Sequence, residues 1–196
     1  MDHGAGTGEQ RALPPGAAWR SVAACFLSSL VLLARGRVRL PADRLGTRLT
    51  FADGTSARVY RETRLGSGRA QDPCTLVVRF RLRRVRGRAH ALFRRESLLN
   101  TPLFVGFPGF TSKLWLAHDE LGRYRGVYEW DGPEHAEHYA RSLWRVLALV
   151  SEPGSIGYAV VPGRRRDAVI AGPGPAGGHD PGSGDTAAWW LPVGGT

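Results

Sequence analysis

The chain of 196 residues has room for one domain of ordinary size, and at 42% hydrophobic and 22% charged residues it can bury a core, which excludes a wholly disordered protein. Gly (26) and Pro (13) are in excess and must collect in turns and ends, so a compact middle with loose ends is expected. The net charge is +10, yet all of the 27 cationic side chains but Lys113 are Arg. That bias looks like codon usage in a G+C-rich genome and weakens any argument from isoelectric point.

Residues 1–16 are Gly/Pro-rich and aperiodic, a disordered lead. Within the apolar segment 17–36, the 14 residues Ser21 to Ala34 carry no charge and are followed by Arg35, Arg37 and Arg39. A bilayer-spanning helix needs about 20 apolar residues, and the arginines stand where a signal peptide would have its cleavage site. Two readings stay open for the 17–34 helix: docking on the domain without being needed for its folding, or membrane association with the arginines near anionic headgroups. Cys25 and Cys74 lack metal-site spacing and read as reduced thiols of a cytoplasmic protein.

Residues 38–73 form a β extension, with a hairpin over 49–63 turning at Asp53 and Gly54. The main domain is expected over 74–163. Residues 75–85 alternate as a strand, with Leu76, Val78, Phe80 and Leu82 on one face and Arg79, Arg81 and Arg83 on the other. Residues 89–100 have helical spacing that Pro102 stops, and 101–109 form an apolar loop against the core. Strands 110–118 and 123–130 then pair around a turn at 119–122. If His118 opposes Arg123, then Trp115 opposes Gly126, Lys113 opposes Tyr128 and Thr111 opposes Trp130, while Leu114, Leu116 and Val127 lie on the reverse side. A helix over 133–151 starts at Pro133 and carries an inward stripe of Ala136, Tyr139, Leu143, Val146 and Leu147. A last strand spans 155–161, and 164–196 has the composition of a disordered tail.

Strand, helix, hairpin, helix, strand is the split β-α-β order of an α+β, ferredoxin-like fold, a four-stranded antiparallel sheet with two helices on one face. The other face would be bare, so a sheet-to-sheet homodimer is expected. Within residues 108–147, Lys113, Trp115, Gly126, Tyr128, Ala136 and Tyr139 follow one another as a Lys-x-Trp strand, a Gly-x-Tyr strand and an Ala-x-x-Tyr helix. In this the chain resembles the dimeric α+β-barrel superfamily of antibiotic-biosynthesis-type monooxygenases, especially its putative monooxygenase branch.

The resemblance implies binding of an aromatic or polyketide-like metabolite between sheet and helices, with cofactor-free monooxygenase, cyclase or isomerase chemistry or none. Such chemistry removes an acidic substrate proton, stabilises the enolate and excludes water. Lys113 is then the cation on the enolate, Asn100 a hydrogen-bond donor to a carbonyl, and His118 the base. Trp115, Tyr128, Tyr139, Phe107 and Phe110 shape the binding site. Each also has a structural reading: Lys113 solvated on its strand, the tryptophans in the core, His118 in a turn. His135 and His138 lack a third ligand, so neither metal nor cofactor is expected. Hydrolase, P-loop and dinucleotide fingerprints are absent. The competing class is nucleic-acid or anionic-surface binding through Arg79, Arg81, Arg83, Arg84, Arg86 and Arg88.

Overall fold

The computed structural model describes residues 12–66, 70–83, 97–172 and 189–195. Helix α1 (Pro15–Ala34) leads into β1 (Val38–Arg39), β2 (Arg48–Phe51), β3 (Ser56–Leu65) and β4 (Pro73–Arg81). After a 3-10 helix (Ser97–Leu103) come β5 (Phe110–Leu116), β6 (Arg123–Asp131), helix α2 (Pro133–Val150) and β7 (Gly157–Pro162). A short α3 (Arg166–Ile170) and β8 (Pro192–Gly195) end the described chain. Most of the helix expected at 89–100 lies outside the described residues; its end is the 3-10 helix, whose tighter turns take in Pro102.

The strands run β7-β4-β6-β5, each antiparallel to its neighbour, which is the ferredoxin-like order. Beyond β5 the sheet continues through β3, β2 and β8, so it has eight strands with β1 beside β3, where four were expected. The β5–β6 register places Lys113 opposite Tyr128 and Trp115 opposite Gly126, as the spacing predicts. Asp119 fixes it, because its Oδ1 accepts the N–H groups of both Leu121 and Arg123 at 2.9 Å. At the far end the pairing differs: a bulge sets Phe110, and not Thr111, opposite Trp130. The extra residue turns the Phe110 ring inward against Phe104 and Trp130, at centroid separations of 5.2 and 5.5 Å.

Apolar residues occupy both faces of the central strands, so both must be covered. On one face Leu76, Val78, Tyr128 and Trp130 meet α2 through Ala136, Tyr139, Ala140 and Leu143. Pro133 opens α2 after Gly132, whose φ of 96° suits glycine, and Glu134 lies at the positive end of the helix. On this side α1 is also part of the core. Its buried residues are Ala18, Val22, Cys25 and Ser29, and Cys25 Sγ and Ser29 Oγ both donate to Pro102 O, at 3.3 and 2.9 Å. The helix is therefore docked, and the expectation that folding proceeds without it does not fit this packing. Cys25 and Cys74 are buried free thiols, and burial pushes Cys74 up to about 12.

The reverse face, expected to be bare, is closed by the chain itself. The sheet curls so that Leu49 and Phe51 of β2 and Val59 of β3 pack with Val77, Leu114 and Val127, joined by Ile170 and Trp189. Asp53, in the β2–β3 turn, reaches Arg125 of β6 at 2.7 Å, and Asp119 binds the same guanidinium at 2.7 Å. Glu62 of β3 is fully buried and paired with Arg166 of α3 at 2.8 Å. Two corrections follow. The tail expected to be structureless supplies α3, Trp189 and β8 to this layer, because a few large side chains outweigh its loose composition. The sheet-to-sheet homodimer loses its premise, since Val77 and Val127 are 0% exposed in one chain.

Candidate functional site

Between the sheet and α2 lies a cavity of about 640 Å³. Its sheet wall comes from alternate residues of adjacent strands: Val78 and Phe80 of β4, Tyr124, Gly126 and Tyr128 of β6, and Lys113 and Trp115 of β5. The helix wall is Tyr139, Leu143, Val146 and Leu147, and Asn100, Leu103 and Phe104 close one end. The cross-strand pairing explains the grouping, because residues directly opposite share a face. Gly126 keeps the space open: a Cβ there would come within 2.8 Å of the Tyr128 ring.

Lys113, the chain's lone lysine, is 6% exposed, and its Nζ sits 3.1 Å from the Trp115 ring centroid, 4.5 Å from Phe104 and 4.7 Å from Tyr128. No carboxylate pairs with it among the described residues. Burial drives its pKa well below the usual lysine value, and the Arg61 guanidinium lowers it further. Arg61 pairs with Trp115 across β3–β5 and lies 3.8 Å over the same ring. The site thus disfavours the charged ammonium that the sequence reading placed there as a cation. The Trp115 indole is held by its Nε1–H donating to Thr63 Oγ1 at 3.1 Å. Tyr128 and Tyr139 share a hydrogen bond of 3.1 Å between their hydroxyls, and burial raises the pKa of both, which favours the protonated phenols.

Of the residues singled out from sequence, Lys113, Trp115, Tyr128, Tyr139 and Asn100 meet in this cavity. Phe107 and Phe110 stand behind its wall, Phe107 against Tyr139 at 5.2 Å and Phe110 against Phe104 and Trp130. His118 does not line the cavity; it lies beyond the end of β5 with its ring 5.7 Å from Tyr124, so it is removed from the position of a base. His135 and His138 are engaged locally, with Asp131 O at 2.6 Å and Ser21 Oγ at 3.2 Å. Sequence reasoning missed Tyr60, Phe80, Phe104 and Tyr124. Phe80 and Tyr124 stack at 5.8 Å, a contact that follows once β4 and β6 are aligned but is invisible along either strand.

Three arginines of the competing reading make contacts within the fold, although Arg81 and Arg83 remain exposed. Arg79 lies 4.2 Å over Trp189, Arg81 pairs with Glu152 at 3.4 Å, and Arg83 donates to Ser151 O at 3.0 Å. Arg84, Arg86 and Arg88 lie outside the described residues.

No protein-family pattern matches the chain, and no curated protein does. Solved structures do. A ferredoxin-fold protein related to antibiotic biosynthesis monooxygenases, from Listeria monocytogenes, is 13% identical, with 57% of this chain and 66% of that one covered and a TM-score of 0.39. A monooxygenase-like protein from Listeria innocua is 14% identical over 57% and 65% of the two chains, with a TM-score of 0.38. An anthrone oxidase-like protein is 14% identical over 55% and 54%, also at 0.38. The chain thus spans less than two thirds of the length of each of these, and at such identities and TM-scores none of them carries an argument about it. On its own strand order, β7-β4-β6-β5 with α2 across one face, the chain has the ferredoxin-like fold, the fold of the superfamily of antibiotic-biosynthesis-type monooxygenases that its sequence resembles.

Proposed function

We propose that the cavity binds a flat, mainly apolar small molecule bearing a carbonyl and a CH2 group that the carbonyl acidifies directly or through an intervening aromatic ring, and that Lys113 removes one of its protons. The observation that carries this reading is the lone lysine of an arginine-rich chain standing buried among aromatic rings, with no carboxylate paired to it among the described residues. Arginine stays protonated at any working pH, whereas a desolvated lysine supplies a free amine. Aromatic walls suit a planar ligand, and the Tyr128–Tyr139 pair and Asn100 offer hydrogen bonds to the oxygen on which enolate charge collects.

The substrate is of aromatic or polyketide type. Its carbanion bonds to molecular oxygen, and loss of water from the resulting hydroperoxide leaves a new carbonyl, with the proton held by Lys113 returned in that step. Cyclisation or isomerisation would use the same deprotonation. One of the similar structures is described as anthrone oxidase-like, and anthrone is a tricyclic ketone with such a CH2 group, so it is the first probe. Anthrone should quench the fluorescence of Trp115 and be consumed with uptake of oxygen. Lys113→Arg and Lys113→Met should abolish consumption. Undiminished turnover by Lys113→Met would remove the base, and absence of binding by anthrone and a panel of planar aromatic ketones would remove the ligand class.

A further inference from the structure

Helix α1 is built inside out. The side it buries carries the small residues Ala18, Val22, Cys25 and Ser29, while Trp19, Phe26, Leu27, Leu30, Val31 and Leu33 are 41–65% exposed. Trp19, Phe26, Leu30 and Leu33 follow a single line along the helix, with Leu27 and Val31 beside it. Small inner residues let the helix backbone lie close on Gly106, where even a Cβ would meet Cys25 O at 2.2 Å. Among the described residues nothing covers the large apolar side chains. The helix is 20 residues long, about 30 Å.

We infer that this outer face rests in the surface of an anionic lipid bilayer, with α1 parallel to the membrane. Charge complementarity selects this occupant. No Asp or Glu occurs from Gln10 to Ala42, whereas Arg20, Arg35, Arg37 and Arg39 are exposed on or just beyond the helix. An apolar stripe flanked by arginines and free of acids matches an interfacial helix, the acyl boundary taking the side chains and the headgroups the guanidiniums. The helix lies on the bilayer and does not cross it. Its inner side is tied to the domain through Cys25, Ser29 and Gly106, and a spanning helix would have to give up those contacts.

The test is co-sedimentation of the full chain with vesicles of phosphatidylcholine alone or mixed with phosphatidylglycerol, at low and high salt. Wild type should bind the mixed vesicles, more weakly as salt rises and more weakly still to phosphatidylcholine alone. Leu27→Glu with Leu30→Glu should lower binding roughly tenfold or more with Tm unchanged, since both side chains are already exposed. Arg35→Gln with Arg37→Gln and Arg39→Gln should weaken binding to mixed vesicles while leaving the residual affinity for phosphatidylcholine. Failure to bind mixed vesicles, or equal binding by the Leu27/Leu30 variant, would overturn the inference. So would a wild-type dimer in sedimentation velocity that this variant dissociates and that does not bind lipid, because the face would then belong to a second copy.

Discussion

Holding an amine in the cavity costs stability, and the sign of that cost can be measured through Lys113. In the unfolded chain this ammonium titrates near 10.5, and in the fold it does so at lower pH because burial and Arg61 disfavour the charge. Between the two values the unfolded state holds a proton that the fold has released, so stability rises with pH across that window and levels off above 10.5. Lys113→Met removes the penalty. It should stabilise the protein at neutral pH by about 1–3 kcal/mol, or about 2–12 °C in Tm, and the gain should vanish in melts taken above pH 10.5. A gain independent of pH would show that packing and not charge was relieved. At Gly126 the prediction is steric: Gly126→Ala places a methyl 2.8 Å from the Tyr128 ring, narrows the cavity and should weaken anthrone binding, at a cost of about 1–3 kcal/mol in a denaturant melt. These site residues were legible because hairpin pairing is arithmetic: once the 119–122 turn is placed, Lys113, Trp115 and Tyr128 fall on one face, and the stripe of α2 brings Tyr139 over them. His118 misled because a strand-end histidine looks catalytic in one dimension. Whether it faces the cavity or the edge is settled by how the sheet curls.

Helix α1 illustrates the limit of periodicity at the scale of an element. Its inner line of Ala18, Val22, Cys25 and Ser29 is weaker in apolar character than its outer line, so the sequence alone left docking and membrane association open and gave no sign that the contact matters for folding. Close backbone approach does the work there, and that depends on Gly106, seventy-seven positions beyond Ser29. Gly106→Ala should therefore cost at least about 1–3 kcal/mol in equilibrium unfolding, whereas Gly16→Ala, with open space around it, should cost nothing measurable. Deletion of residues 1–36 should broaden or abolish the cooperative melt. It removes Cys25 from the core and also the bond from Arg145 Nε to Leu13 O that ties the start of the helix to α2. Retention of a sharp wild-type transition would return α1 to the status of an accessory.

For the whole molecule, the ferredoxin-like unit was readable because each of its four strands announces itself by alternation or by flanking turns. The layer on the reverse face was not, because average composition conceals a single anchoring residue. Trp189 follows a long Gly/Pro-rich stretch, yet it is buried against the sheet with the Arg79 guanidinium over its ring. Trp189→Ala should cost about 3–5 kcal/mol and expose enough of the reverse face to raise binding of an apolar dye; a change within error in both would detach the tail from the core. Closing that face within one polypeptide also changes how the fold responds to scarcity. A barrel completed by two chains obeys mass action and comes apart on dilution, whereas here the covering layer arrives at an effective concentration fixed by the chain itself. Its Tm should accordingly be unchanged across serial dilution, and the cavity should survive in a cell that makes only a few copies.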